Sequence, residues 1–159
     1  MIVLHLGSNL GSRNKNLSIA RFLIESRIGT VVKASSLYET SAWGNTEQND
    51  FLNVAYVVET ELSPEDLLKS IHDIEQKMGR VRLELWGERL IDIDILFYND
   101  QIIKKANLKI PHPEITNRNF VLVPLNEIIP EFIHPVLKKS INKLLTACSD
   151  TGEVRLYNQ

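Results

Sequence analysis

The chain opens on a short apolar run, Ile2-Val3-Leu4-His5-Leu6, and breaks into Gly7-Ser8-Asn9-Leu10-Gly11-Ser12, which predicts a buried strand followed by a turn. Apolar residues then recur at Leu17, Ala20, Phe22-Leu23-Ile24 and Ile28, a helical spacing that Gly29 is placed to stop. A second strand is predicted at about Thr30 to Tyr38 and a third at about Phe51 to Thr60, with a polar loop through Gly44 and Asn49 between them. Ser63-Pro64-Glu65-Asp66 reads as a helix start: a capping serine, a proline at the first helical position, and carboxylates beside the positive helix end. Leu67, Ile71, Ile74 and Met78 mark the buried face of that helix, and Gly79 closes it. The alternation Ile91-Asp92-Ile93-Asp94-Ile95-Leu96-Phe97 predicts a fourth strand.

The resulting order is βαββαβ. Two βαβ halves in series predict an α+β chain with a ferredoxin-like sheet, helices on one face and the other face free for a site. Beyond Phe97, prolines at 111, 113, 124, 130 and 135 divide the chain into short pieces that cover a sheet edge or close a cleft. A last helix is suggested by Ile141, Leu144, Leu145 and Cys148.

Length and composition narrow the class. A chain of 159 residues fits one domain, 1–159, and 43% apolar with 24% charged residues is ordinary for a globular protein. No stretch approaches the roughly 20 apolar residues of a membrane span, and the N-terminus lacks the pattern of a signal peptide, so a cytoplasmic location is expected. A monomer is the default. A net charge of −2 lacks the basic excess of a nucleic-acid-binding surface, so any phosphate ligand must be held locally. The single Cys148 forms no internal disulfide, and its place in an apolar pattern assigns it to packing.

Asp92 and Asp94, two apart on a strand, project from one face while Ile91, Ile93 and Ile95 pack on the other. Paired carboxylates suit Mg2+, which completes its shell with waters and substrate phosphates; the alternative is a solvated strand face. Arg80, Arg82 and Arg89 precede the pair, and Lys109 and Arg118 follow it. Carboxylates flanked by guanidinium groups are what phosphoryl transfer needs, although the same arginines can pair with Glu84, Glu88 and the aspartates. His112, held between Pro111 and Pro113, is a candidate phosphate donor or a structural turn residue. His5, His72 and His134 have no zinc-ligand spacing. Trp43, Phe51 and Phe120 are candidates to sandwich a flat heterocycle, with Asn53 on the Phe51 strand face to read its edge. No Walker-type loop and no dinucleotide fingerprint is present.

Taken together these residues resemble the hydroxymethyldihydropterin pyrophosphokinases. The resemblance runs from Gly7-Ser8-Asn9-Leu10 to about Pro130 and rests on three segments. Tyr38-Glu39-Thr40 through Phe51-Leu52-Asn53 is similar to the family's pterin loop and following strand. Glu75, Gly79-Arg80-Val81-Arg82 and Trp86-Gly87-Glu88-Arg89-Leu90-Ile91-Asp92-Ile93-Asp94 resemble its glycine-arginine run and R-x-(I/L)-D-(I/L)-D signature. Ile110-Pro111-His112 with Asn117-Arg118-Asn119-Phe120 resembles its P-H…N-R-x-F block. Leu83, Leu85, Glu88 and Pro113 depart from the residues frequent in relatives.

The resemblance implies a ferredoxin-like fold and transfer of pyrophosphate from ATP to 6-hydroxymethyl-7,8-dihydropterin, releasing AMP. It implies a pair of Mg2+ ions on Asp92 and Asp94, and catalytic Arg80, Arg82 and Arg89. Glu75, His112 and Arg118 fall on the ATP side; Thr40, Ser41, Trp43, Phe51, Asn53 and Phe120 fall in the pterin slot. The stretch from Gly79 to Arg89 is expected to be mobile without ligand and to close over ATP. Three rivals stand beside this reading: an RNA-binding sheet, which the net acidity opposes; another Mg-dependent D-x-D transferase; and a structural interaction domain.

Overall fold

A computed structural model describes residues 1–41, 49–79 and 90–158. The expectations for Trp43, Arg80, Arg82 and Arg89, for the departures at Leu83, Leu85 and Glu88, and for a mobile Gly79–Arg89 loop fall wholly or mainly outside these residues.

The chain is α+β. Its elements are β1 (Ile2–Ser8), α1 (Arg13–Arg27), β2 (Gly29–Ala34), β3 (Tyr38–Thr40), β4 (Phe51–Thr60), α2 (Pro64–Lys77), β5 (Asp92–Tyr98), β6 (Ile103–Lys105), β7 (Leu108–Ile110), α3 (Asn119–Ile128), α4 (Ile141–Ala147) and β8 (Val154–Leu156). The main sheet runs β5-β1-β4-β3-β8, with β2 also on β4, and every neighbouring pair is antiparallel. β6 and β7 form a separate hairpin, tied to the start of α2 by the Lys105–Glu65 ion pair at 2.5 Å.

The single second strand expected from Thr30 to Tyr38 is two. β2 pairs with the far half of β4 and β3 with its near half, because Ser35 interrupts the ladder. The Ser35 hydroxyl accepts the Ala55 N–H at 2.9 Å while its own N–H donates to Ala55 O at 2.9 Å, so a side chain takes over one backbone position.

Gly29 does not end α1 as a left-handed cap. It begins β2, where a β-carbon would stand 1.9 Å from Glu59 O, so the close approach of β2 to β4 demands glycine. Gly79 does take the closing role expected of it, at φ +77°. Ser63 caps α2 as expected, its hydroxyl accepting the Asp66 N–H at 3.2 Å.

Residues of β1 alternate between two cores. Leu4 and Leu6 pack with Val54, Tyr56, Ile93 and Ile95 beneath Leu17, Ala20 and Ile24 of α1 and Leu67, Ile71 and Ile74 of α2. Val3 joins Ala55, Val57, Leu96 and Phe97 beneath Val121, Leu122 and Leu125 of α3 and Ile141 and Leu144 of α4. A bulge in β5 opposite Val3 and Leu4 lets consecutive Leu96 and Phe97 both serve this second core.

The second face of the sheet is therefore not free, as the sequence pattern suggested. Among the described residues, α3 and α4 pack on its middle, and Gly7, Asn53, Asp92 and Asp94 lie outside that core. Nor does Pro124 divide the chain: α3 continues through it. The carbonyl that residue 124 would have bonded in a regular helix belongs to Phe120, and it accepts instead from His5 Nε2 at 3.3 Å. Among the described residues no helix is long and apolar enough to cross a membrane.

Candidate functional site

Because β1 lies between β4 and β5, its residues facing away from α1 and α2 sit in rows across the sheet. One row is Asn53–Gly7–Asp92 and the next is Ala55–His5–Asp94. The two aspartates share one strand face, half-buried, while Ile91, Ile93 and Ile95 are buried on the other.

β5 is an edge strand, so its outward backbone groups need partners from elsewhere. Glu75 of α2, 4% exposed, supplies one: its Oε2 accepts the Ile93 N–H at 3.0 Å, between the aspartates. A cavity of about 280 Å3 opens here, with Glu75, Asp92, Asp94, Lys109 and His112 in its wall.

His112 reaches this cavity because its segment hooks onto the same strand. Its backbone N–H donates to Leu96 O at 3.0 Å, after a cis Ile110–Pro111 peptide. His112 Nδ1 accepts the Glu114 N–H at 3.1 Å, leaving Nε2 to carry the proton of the neutral ring. Burial pushes its pKa down, the Arg118 charge adds to that, and Glu114 and Asp92 oppose it. Arg118 immediately precedes α3 and lies over the Phe120 ring, 5.7 Å from its centroid. The Phe120 ring is also 5.9 Å from that of His5. Burial holds His5 neutral, with its pKa lowered to about 4.

At the other end of the first row, Asn53 is 1% exposed and Thr40 3%. Asn53 Nδ2 donates to Thr40 Oγ1 at 2.9 Å and to Tyr38 O at 3.2 Å, so both amide hydrogens are engaged and Oδ1 turns toward Gly7. A β-carbon on Gly7 would stand 3.4 Å from that oxygen and 3.3 Å from the Phe51 ring. Glycine thus keeps open a narrow floor beside an aromatic ring and an oriented amide. Ser41, at the end of β3, is exposed.

The structure therefore gathers Asp92, Asp94, Glu75 and His112 around one cavity, and Thr40, Phe51 and Asn53 around Gly7 one strand away, with Arg118 and Phe120 entering from α3. Sequence reasoning missed the residues that hold this arrangement. Ser8, the last residue of β1, and Asn9 after it are buried, and Asn16 Nδ2 donates to Ser8 Oγ at 3.1 Å and to Leu10 O at 2.8 Å. Glu127 of α3 accepts from Ser36 N–H at 3.0 Å and Tyr38 O–H at 2.7 Å, tying α3 to β3. Polar residues packed among apolar ones, as in Ser8-Asn9, were the available signal; Glu127 gave none, since its partners lie about 90 residues away.

A family model described as 7,8-dihydro-6-hydroxymethylpterin-pyrophosphokinase matches residues 3–130. The chain belongs to this pyrophosphokinase family. It is 44% identical over 152 residues to the 2-amino-4-hydroxy-6-hydroxymethyldihydropteridine pyrophosphokinase of Haemophilus influenzae, covering 95% of this chain and 94% of that one. It is 40% identical over 142 residues to the pyrophosphokinase of the same name from Aquifex aeolicus, covering 89% and 88%. The Dictyostelium discoideum folic acid synthesis protein FOL1 is 42% identical over 154 residues, but the chain spans only 23% of that protein. Among solved structures, an HPPK-DHPS crystal structure with substrates superposes with a TM-score of 0.75 at 20% identity, over 92% of this chain and 43% of that one. The Plasmodium falciparum HPPK-DHPS gives 0.73 at 24%, over 91% and 43%. These two likenesses bear on the fold, and both neighbours are more than twice the length of this pyrophosphokinase chain.

Proposed function

We propose that this chain transfers pyrophosphate from ATP to 6-hydroxymethyl-7,8-dihydropterin, giving the pterin pyrophosphate and AMP in folate biosynthesis. The observation that carries the proposal is the row Asn53–Gly7–Asp92: a glycine floor beside an aromatic ring and an oriented amide stands one strand away from a carboxylate pair. A nucleotide beside β5 and a pterin over Gly7 would bring their reactive ends together across β1.

In this reading Thr40 fixes Asn53, whose Oδ1 accepts from the pterin's N–H edge, and Phe51 and Phe120 stack on its faces. The hydroxymethyl oxygen attacks the β-phosphorus of ATP and its proton passes to solvent, the bond from that phosphorus to the α,β-bridging oxygen breaks, and that bond's electron pair leaves with AMP. His112 Nε2–H and Arg118 donate to the triphosphate, and Arg80, Arg82, Arg89, Ser41 and Trp43 act as the family resemblance assigns them.

Asp92 and Asp94 fit a pair of Mg2+ ions. Their donor set is oxygen only, which suits an ion that retains waters and substrate phosphates. Bound there, Mg2+ would neutralise phosphate charge and align the displacement. Glu75 then acts on the ATP side through the strand, by holding the Ile93 N–H between the two ligands.

A ferredoxin-like topology and a single domain over 1–159 complete the reading. The order β5-β1-β4-β2 with α1 and α2 on one face supports the first. The second is supported by the sharing of β1, β4 and β5 between both cores.

The test is incubation of the protein with ATP, Mg2+ and 6-hydroxymethyl-7,8-dihydropterin, following nucleotide and pterin by chromatography. AMP and pterin pyrophosphate are expected in equal amounts. AMP no higher than in a pterin-free control would sink the assignment, and release of inorganic pyrophosphate or a nucleoside diphosphate would favour the rival D-x-D transferase.

A further inference from the structure

The slot residues Thr40 and Phe51 are cross-strand partners at the end of the β3–β4 pair, where a two-stranded ladder would fray. The residues just before them, Glu39 and Asp50, are both acidic and both held by the same two arginines. Arg13, from the first turn of α1, reaches Glu39 Oε2 at 2.6 Å and Asp50 O at 3.0 Å. Arg155, on β8, reaches Glu39 Oε1 at 3.3 Å and Asp50 Oδ2 at 2.9 Å. Arg155 also sits directly opposite Glu39 in the β3–β8 register, and Arg13 lies over the ring of Tyr157, 5.7 Å from its centroid.

We propose that Arg13 and Arg155 are positioning residues for the pterin, clamping Glu39 to Asp50 so that Thr40, Phe51 and Asn53 keep their spacing over Gly7. β8 lies beyond the residues 3–130 that the family model matches, so this role belongs to a part of the chain to which that match assigns nothing.

Three features favour a clamp over ordinary surface pairing. The Arg155 guanidinium bridges the Glu39 carboxylate of β3 and the Asp50 carboxylate just before β4, and Glu39 is shared by two guanidiniums, so these groups form a network rather than isolated pairs, with Glu153 on the outer side of Arg155 at 3.4 Å. Glu39 and Arg13, with side chains 24% and 23% exposed, are the less screened half of the network, and Arg155 and Asp50, at 36% and 42%, are its more open half. The clamp also acts on backbone, since Arg13 holds the Asp50 carbonyl and Asn9 Nδ2 holds the Asn49 carbonyl at 3.2 Å. Arg13 at a helix N-terminus is opposed by the helix dipole, and its engagement by Glu39 explains how a cation is held there. Neither arginine is among the described residues that line the cavity beside Asp92 and Asp94, so the clamp is placed on the Thr40–Phe51 side of the sheet.

The proposal rests on the pterin reading above, and the experiment separates the two. Steady-state KM for each substrate, thermal unfolding, and pterin binding followed by its own fluorescence are compared for wild type, Arg155→Met, Arg155→Lys and Asp50→Asn. Arg155→Met is expected to raise KM and Kd for the pterin about fivefold, as follows from losing a network contact, with KM for ATP unchanged. Arg155→Lys should recover part of the loss, and Asp50→Asn should reproduce it. An unchanged pterin KM in Arg155→Met, or an equal rise in both KM values together with a lowered Tm, would overturn the clamp while leaving the pyrophosphokinase reading intact. Should Arg155→Met not fold, Asp50→Asn decides by the same criteria. A wild type that binds pterin without turnover would count against the reaction alone, since the Kd comparison still tests the clamp; a wild type that binds no pterin would overturn both.

Discussion

At Pro124 the helix α3 gives up a backbone donor, and the Phe120 carbonyl left over is served by His5 from the middle of the sheet. This exchange couples a buried side chain of β1 to the aromatic residue proposed to cover the pterin. Replacing His5 by Ala would leave a carbonyl without its partner and a small void beside Phe120. We expect a loss of about 1–3 kcal/mol in urea unfolding and a higher KM for the pterin than for ATP; unchanged stability would show that the carbonyl finds another donor. Asp94 is the opposite kind of residue, half-buried at the sheet end and not needed for either core. Asp94→Ala should lower Mg2+-dependent turnover by at least about a hundredfold while the thermal midpoint stays close to wild type. Normal turnover in that variant would remove the metal assignment.

Elements in this protein are fixed as much by distant side chains as by their own sequence. α3 begins at a residue with no capping side chain, and Asp150 accepts the Asn119 N–H at 3.1 Å from 31 residues downstream, placing a carboxylate at the positive helix end. The turn between residues 134 and 139, which packs under β5, is held in a similar way. His134 Nδ1 accepts the Val136 and Leu137 N–H groups at 3.2 and 3.1 Å, and its ring meets Phe97 edge-on at 5.6 Å. These bonds require a bare Nδ1, and burial lowers the His134 pKa below 6.5. As pH falls through 6.5 the unfolded chain takes up the proton first, so stability declines until the lower folded pKa is passed. His5 and His112 are shifted in the same direction and add to the slope. Unfolding free energies measured between pH 7.5 and 5 should therefore fall for the wild type. The fall should be shallower for His134→Asn, which keeps a local acceptor without the titration; equal slopes would mean that His134 does not titrate on unfolding.

The molecule as a whole is a sheet between two helical layers whose cores share β1, β4 and β5. Neither layer can lose its packing without exposing the back of the strands that the other layer needs. A single unfolding transition, coincident by far- and near-ultraviolet circular dichroism, is therefore expected, and an ATP analogue with Mg2+ should raise its midpoint by mass action. Two separated transitions would show that α3, α4 and β8 form an independent unit.

Much of this was legible in the residue order. Period-two and period-3.6 patterns marked β1, β4, β5, α1 and α2, because those elements bury a face against a neighbour close in sequence, and the D-x-D alternation placed both carboxylates on one side of a strand. Local pattern also misled. Pro124 reads as a break and Gly29 as a helix stop, since a sequence shows what a residue does to its own backbone but not which distant group, His5 or Glu59, stands against it. The residue types of the candidate site were likewise visible in the sequence, whereas their placement side by side was not. Asn53, Gly7 and Asp92 become neighbours only when β1 pairs between β4 and β5. The tie from Glu75 to Ile93 and the ties from Arg13 and Arg155 to Glu39 and Asp50 span up to 116 residues. Periodicity is a property of consecutive residues and is fixed by the chain; hydrogen bonds and ion pairs across such separations exist only once the sheet has closed, so the tertiary structure alone decided them.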